Sequence, residues 1–220
     1  MRLALFDLDN TLLTGDSDYE WGQFMCDQGV VERGAYEAQN RVYYEQYAAG
    51  TLDIHEYLGF ALRPLADHTP EDLAGWHAEF MRTRVAGMIL PAARALVRRH
   101  LQAGELCAII TATNSFVTAP IAREFGIEHL IATEPELRNG RYTGRVAGTP
   151  CFREGKLVRL DEWLAGLGRR LEDFEASTCY SDSQNDLRLL ERVTRPVAVD
   201  PDETLAREAA RRGWERISLR

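Results

Sequence analysis

The chain has 220 residues, of which 45% are hydrophobic and 27% charged, a balance typical of a folded globular protein with a substantial core. Its formal net charge of -8 argues against a partner that is nucleic acid or an anionic membrane. No apolar stretch is long enough to span a membrane, and no signal-peptide pattern opens the chain. The four cysteines form no C-x-x-C pair, which argues against a disulfide framework or a zinc cluster. We therefore expect a cytoplasmic protein without membrane insertion.

The first element in the chain is the apolar run Leu3–Phe6, which has the continuous hydrophobic character of a buried parallel strand. It ends at the polar segment that begins with Asp7 and Asp9. From residue 15 to residue 85 no strand pattern follows, and aromatic and charged residues recur at helical spacing. Helix starts such as Thr69-Pro70, with proline at the first helical position, favour a block made of helices only.

Strands and helices alternate in the remainder of the chain. The apolar patterns predict strands at residues 106–110, 130–132, 177–180 and 196–199, and Asn139-Gly140 predicts a hairpin turn. Helices are predicted at residues 91–101, 114–126, 156–167 and 202–212. This alternation predicts an α/β fold with a Rossmann-like, doubly wound parallel sheet. Residues 1–14 and 86–220 form the core domain of this prediction, and residues 15–85 form an all-helical cap inserted after the first strand.

Polar side chains follow three of the predicted strands, where parallel strands present ligand sites. Asp7 and Asp9 follow the first strand, Thr111 the second, and the segment with Asp182 and Asp186 a later one. Carboxylates gathered at one edge repel one another unless a cation lies among them. A set of oxygen ligands favours Mg²⁺ over zinc. The sequence therefore predicts a magnesium site at this edge.

The same residues carry a family resemblance that spans nearly the whole chain. Asp7-Leu8-Asp9-Asn10-Thr11-Leu12 resembles the D-x-D-x-T-L signature of haloacid dehalogenase-like (HAD) phosphatases, Ile109-Ile110-Thr111 their second motif, Lys156 their third, and Ser181–Asp186 their fourth. The fourth motif commonly reads G-D-x-x-N-D, so Ser181 replaces a glycine without removing a ligand. The helical insertion is similar to the cap of subfamily IB, the phosphoserine-phosphatase-like group.

The resemblance implies a role for each matching residue. Asp7 is implied as the nucleophile that forms an aspartyl-phosphate, and Asp9 as the general acid and base. Thr111, Lys156 and Asn185 are implied as phosphate-binding residues. Mg²⁺ is implied as the cofactor, held by the carboxylates of Asp7 and Asp182 and by the backbone carbonyl of Asp9, with Asp186 supporting this set.

The residues of the cap bear on the identity of the substrate. Phosphoserine phosphatases carry an acid after the first motif and an arginine further along the cap, and Asp16 and Arg63 are the nearest matches, although Arg63 is displaced by two residues. The aromatic residues of the cap either line a pocket for an organic group or pack its helices: Trp21, Tyr43, Tyr44, Tyr47 and Trp76. The three histidines of the cap are expected at the surface or in packing, rather than as ligands: His55, His68 and His77.

Several readings stay open at this level. The favoured one is a Mg²⁺-dependent phosphate-monoester hydrolase that acts on a small phosphorylated metabolite, as a monomer or homodimer. Alternatives are a phosphoserine phosphatase proper and a catalytically degenerate binding protein with the same fold. Asp9 argues against a dehalogenase, which lacks this second aspartate. A receiver-like signalling domain has no comparable helical insertion.

Overall fold

A seven-stranded sheet forms the centre of the computed structural model, which describes all 220 residues. The strands lie in the order β4-β3-β2-β1-β5-β6-β7, and every neighbouring pair is parallel except the hairpin of β3 and β4. This arrangement confirms the predicted α/β class. The strand bounds are β1 Arg2–Phe6, β2 Leu106–Asn114, β3 His129–Arg138, β4 Arg141–Ala147, β5 Ala176–Ser181, β6 Arg195–Val199 and β7 Glu215–Ile217.

Strand β1 lies in the middle of the sheet, between β2 and β5. Its last residue, Phe6, is in register with Ile109 on one side and Tyr180 on the other. Because all three strands are parallel, their carboxyl ends open at the same edge. The residues directly after Phe6 therefore meet the polar residues that end β2 and β5.

The segment after β1 is entirely helical, as predicted. Its elements are α1 Ser17–Asp27, α2 Arg33–Ala49, α3 Ile54–Ala61, α4 Arg63–Asp67, α5 Pro70–Phe80, a π-helical turn Met81–Val85 and the short α6 Ala86–Met88. Side chains of Asp16, Asp53 and Thr69 cap the N-termini of α1, α3 and α5. The insertion begins and ends where Leu13 pairs with Ile89 in an antiparallel bridge.

The insertion packs closely against the sheet. Trp21, Phe24 and Phe80 belong to the same hydrophobic cluster as Phe6 of the central strand. Further out, α4 packs on the β-hairpin, where Gly144 lies against Ala66. A division between core and cap at residues 15 and 85 stays a prediction, since the hydrophobic core runs across it.

Five further helices cover the sheet. They are α7 Pro91–Gln102, α8 Ser115–Phe125, α9 Glu154–Gly166, α10 Leu187–Arg192 and α11 Glu203–Arg212, with 3₁₀ turns at Leu171–Asp173 and Gln184–Asp186. The short α10 and the edge strand β7 were not predicted. The Asn139-Gly140 turn is confirmed, with positive φ at both residues. No helix has both the length and the apolar character that crossing a membrane requires.

Candidate active site

The loop after β1 carries Asp7 and Thr11 into the centre of the sheet edge. The Asp7 amide continues the ladder by donating to the Tyr180 carbonyl at 2.9 Å, which fixes the direction of its side chain. Asn10 adopts a left-handed conformation with φ 57°, and the chain then turns back so that Leu12 N donates to the Leu8 carbonyl. Asp7 is buried, with only 4% of its surface exposed.

Lys156 is the cation nearest to this aspartate. Its Nζ donates to Asp7 Oδ1 at 2.8 Å and to Asp186 Oδ2 at 2.7 Å, and its side chain is 4% exposed. Glycine at position 155 allows the first turn of α9 to pack closely against the Pro150 carbonyl. A Cβ at this position would lie 2.0 Å from that carbonyl oxygen. The predicted third motif therefore reaches Asp7 from the start of a helix.

Asp182 and Asp186 reach the same cluster by separate contacts. The Thr11 hydroxyl lies 3.0 Å from Asp7 Oδ2 and 2.8 Å from Asp182 Oδ1, so it can donate to either carboxylate. Asp186 accepts from Lys156 and from the Ser181 hydroxyl, the latter at 2.7 Å. Asp186 ends a 3₁₀ turn, Gln184–Asp186, so Asp182 and Asp186 do not lie on one face of an α-helix.

Asp9 lies in a different hydrogen-bond network from Asp7. Its Oδ1 accepts from the Ser17 amide at 2.6 Å, and its Oδ2 accepts from the Thr113 hydroxyl at 2.8 Å and the Thr111 hydroxyl at 3.4 Å. Thr113 was missed by sequence reasoning, although it lies two residues beyond Thr111 on a strand and therefore shares its face. These contacts orient the Asp9 side chain between β2 and the start of α1.

Asn185 contacts the helical insertion in this structure. Its Oδ1 accepts from Arg153 Nε at 3.1 Å, and its Nδ2 donates to the Tyr47 carbonyl at 3.3 Å. Arg153 Nη2 also donates to the Gly50 carbonyl, and Gln184 Nε2 donates to the Ala48 carbonyl at 3.1 Å. Side chains from the core thus hold the carbonyls at the C-terminal end of α2. We call these contacts the α2 latch.

The cluster around Asp7 carries more negative charge than Lys156 balances. Burial raises the pKa of Asp7 to about 6, although the nearby Lys156 acts in the opposite direction. Burial and the negative charge of Asp7 hold the pKa of Asp182 well above its ordinary range. Burial alone would lower the pKa of Lys156, but the charges of Asp186 and Asp7 outweigh it and raise that pKa. The site therefore favours an additional cation.

A cavity extends from Asp7 and Asp9 beneath the helical insertion. No lysine or arginine is among the 16 residues that line it. Five of them are tyrosines, and Asp16 and Asp18 add two further carboxylates. The lining residues on the side of the insertion are Asp16, Asp18, Tyr19, Asn40, Tyr43, Tyr44, Tyr47, Leu52, Ile54 and Tyr57.

The structure separates the predicted cap residues into two groups. Asp16 lines the cavity, whereas Arg63 lies outside it, with its side chain 80% exposed and paired with Asp67. The structure thus does not bring Arg63 to the site, because a two-residue shift on a helix turns a side chain to another face. Tyr43, Tyr44 and Tyr47 line the cavity, but Trp21 and Trp76 pack in the hydrophobic core.

The histidines of the insertion lie outside the cavity. His77 is buried and its ring nitrogen contacts the Val117 carbonyl at 3.0 Å, which is a packing role. His55 is exposed, and His68 lies edge-on to the ring of Trp76. These positions agree with the expectation that the three histidines lie at the surface or in packing contacts.

Comparison with known proteins agrees with the motifs. The model of the family described as HAD, haloacid dehalogenase-like hydrolase, matches residues 4–191. A protein of Neisseria meningitidis named histidinol-phosphatase is 44% identical over 100% of this chain and 99% of its own length. A phosphoserine phosphatase of Mycobacterium tuberculosis is 30% identical over 96% of this chain and 69% of its own length.

Solved structures show the same fold. A protein of unknown function from Bordetella pertussis superposes with a TM-score of 0.95 at 53% identity, covering 100% of this chain and 99% of that one. A phospho-aspartyl intermediate analogue of a phosphoserine phosphatase superposes with a TM-score of 0.70 at 17% identity, covering 99% and 93%. The family match covers most of the chain, and the four motifs meet at one edge of its sheet. The chain belongs to the haloacid dehalogenase-like hydrolases.

Proposed function

We propose that this protein is a Mg²⁺-dependent phosphate-monoester hydrolase that forms an aspartyl-phosphate on Asp7. The observation that carries the proposal is the position of Asp7, whose two carboxylate oxygens contact Lys156 Nζ at 2.8 Å and the Thr11 hydroxyl at 3.0 Å. A cation and a hydroxyl donor beside a carboxylate suit phosphoryl transfer, since the transferred group carries negative charge on its oxygens.

The donor set around Asp7 fits magnesium. No three His, Cys, Asp or Glu side chains converge on one point, so the proposed site uses two carboxylates, Asp7 and Asp182, with the Asp9 carbonyl and water. These are oxygen ligands only, and Mg²⁺ commonly keeps several waters. The two carboxylates approach the same hydroxyl of Thr11. Asp7 forms an ion pair with Lys156, whereas Asp182 forms no ion pair. Magnesium would supply positive charge to the phosphate oxygens.

The reaction divides between the two aspartates of the first motif. An Asp7 oxygen attacks phosphorus and forms a P–O bond, while the bond from phosphorus to the leaving alcohol breaks. Asp9 gives its proton to that alcohol oxygen. A water molecule then loses a proton to Asp9 and attacks phosphorus, which releases phosphate and regenerates the Asp7 carboxylate. The hydroxyls of Thr111 and Thr113 hold Asp9 for both proton transfers.

The substrate is proposed to be a small phosphorylated metabolite, with histidinol phosphate as the first candidate. The Neisseria relative of 44% identity bears the name histidinol-phosphatase. Phosphoserine is the second candidate, favoured by Asp16, which matches the acid of phosphoserine phosphatases. However, the cavity has no basic side chain to pair with the carboxylate of phosphoserine. A catalytically degenerate binding protein is the remaining alternative.

Hydrolysis assays test the proposal. We expect the wild type to hydrolyse p-nitrophenyl phosphate and histidinol phosphate with added Mg²⁺ and to lose this activity with a chelator. Asp7→Asn should reduce turnover by at least about a thousandfold, because the covalent route is lost. Asp67→Asn is the matched control, since Asp67 is exposed on α4. Equal turnover by Asp7→Asn, or none by the wild type on any phosphate ester, would refute the proposal.

A further inference from the structure

Asp18 is a buried carboxylate that the proposed chemistry does not use. It is 9% exposed and is the second residue of α1, whose N-terminus is already capped by Asp16. No lysine, arginine or histidine forms an ion pair with it. An ionised carboxylate buried in this way is costly unless hydrogen bonds or a bound cation stabilise it.

Two neutral side chains hold Asp18 in place. The Tyr57 hydroxyl of α3 donates to Asp18 Oδ2 at 2.6 Å, and Asn114 Nδ2 at the end of β2 donates to Asp18 Oδ1 at 3.3 Å. The two donors come from the insertion and from the sheet, so the carboxylate is fixed where these parts meet. Each oxygen keeps capacity for a further donor.

Asp18 lines the same cavity as the proposed nucleophile. The Ser17 amide, one residue before it, donates to Asp9, the group proposed to protonate the leaving alcohol. Asp16 and Asp18 therefore flank the point at which α1 touches the general acid. They face the volume that the alcohol part of a substrate must occupy, and tyrosines form its other walls.

We propose that Asp18, positioned by Tyr57 and Asn114, determines specificity by accepting from a protonated or N–H-bearing nitrogen of the leaving alcohol. The inference rests on the proposed function and names its substrate class. The preferred esters carry two nitrogen groups, one for each of Asp16 and Asp18, and no carboxylate. Histidinol phosphate has an ammonium, an imidazole and no carboxylate. Phosphoserine has one nitrogen, and its carboxylate would face two aspartates without a basic partner.

The test measures selectivity rather than activity alone. The ratio of kcat/KM for histidinol phosphate to kcat/KM for p-nitrophenyl phosphate should fall about 10- to 100-fold in Asp18→Asn, mainly through KM, because a hydrogen bond to a charged group is lost. Tyr57→Phe should lower the same ratio by a smaller factor. Asp53→Asn, an exposed N-cap of α3, is the matched control and should leave the ratio unchanged.

The outcomes separate the inference from the proposed function. Failure of every ester with the wild type would overturn the phosphatase proposal itself. Magnesium-dependent turnover of p-nitrophenyl phosphate with an unchanged ratio in Asp18→Asn would overturn only the role of Asp18. A wild-type preference for phosphoserine over histidinol phosphate would also overturn it. If Asp18→Asn does not fold, the ratio measured for Tyr57→Phe decides.

Discussion

Substitution of Asp18 by asparagine should stabilise the free protein, although the proposed role of Asp18 requires the same substitution to weaken substrate binding. Burial raises the pKa of Asp18 from its ordinary value of 3.8 to about 6, while the hydrogen bond from Tyr57 opposes the rise and the charge of Asp9 adds to it. Each tenfold change in a protonation equilibrium corresponds to about 1.4 kcal/mol. The ionised carboxylate therefore destabilises the fold by about 3 kcal/mol above pH 7.

The sign of the pH dependence follows from proton binding. Between about pH 4 and pH 6 the folded protein keeps the Asp18 proton, whereas the unfolded chain has lost it. The contribution of Asp18 to the free energy of unfolding therefore falls as the pH rises through this window and stays low above it. Asparagine does not titrate. It can accept from Asn114 and donate its amide N–H to the Tyr57 oxygen, so both contacts survive in altered form.

Urea denaturation of the two proteins at a series of pH values measures the difference. At pH 8 we expect Asp18→Asn to raise the free energy of unfolding by about 2 kcal/mol, or the Tm by roughly 4–8 °C. The gain should shrink towards zero near pH 4. Asp53→Asn should change stability by no more than about 0.5 kcal/mol, since asparagine also caps helices well. A variant no more stable than the wild type at pH 8, or a gain independent of pH, would refute the reasoning.

Three further predictions concern the rest of the site. Lys156→Met leaves two buried carboxylates without their cation and should lower the free energy of unfolding by about 3–5 kcal/mol, measured by denaturation. Arg207→Met, which breaks an exposed pair, should cost at most about 0.5 kcal/mol, and equal losses would contradict the prediction. Arg153→Ala removes a bond of the α2 latch, so amide hydrogen exchange near Gly50 should accelerate and KM should rise several-fold; unchanged exchange would argue against the latch. Millimolar Mg²⁺ should raise the Tm of the wild type but not of Asp182→Asn, and equal shifts would exclude Asp182 as a ligand.

Much of the core fold could be predicted because its central strands are buried. Leu3–Phe6 and Leu106–Ile110 are continuous apolar runs, and such runs are typical of central parallel strands. Strand β7 could not be predicted in the same way. It has three residues, Glu215–Ile217, of which only one is apolar, and it exists because its backbone pairs with β6 at the sheet edge.

The residues of the candidate site could be predicted for a related reason. Asp7 and Asp182 directly follow the buried strands β1 and β5, and Thr111 lies in the last part of β2, so the parallel sheet alone brings them to one edge. Asp18 offered no comparable signal, because an acidic residue in the first turn of a helix is common. Its proposed role depends on Tyr57 and Asn114, which are 39 and 96 residues away in the chain, respectively. Contacts of this range follow from the packing of the insertion on the sheet.

On the proposed function, the charges around the cavity also determine how a substrate enters. Four aspartates line the cavity and two more adjoin it, against the single buried cation Lys156. A phosphate dianion is repelled by this field except beside Lys156 and the proposed magnesium. A basic nitrogen is repelled there and attracted to Asp16 and Asp18. An ester with both groups is therefore oriented before contact, with phosphorus at Asp7 and the alcohol beneath the insertion. The reversed orientation would place like charges together, so Asp18, which destabilises the free protein when ionised, would help to select one binding mode.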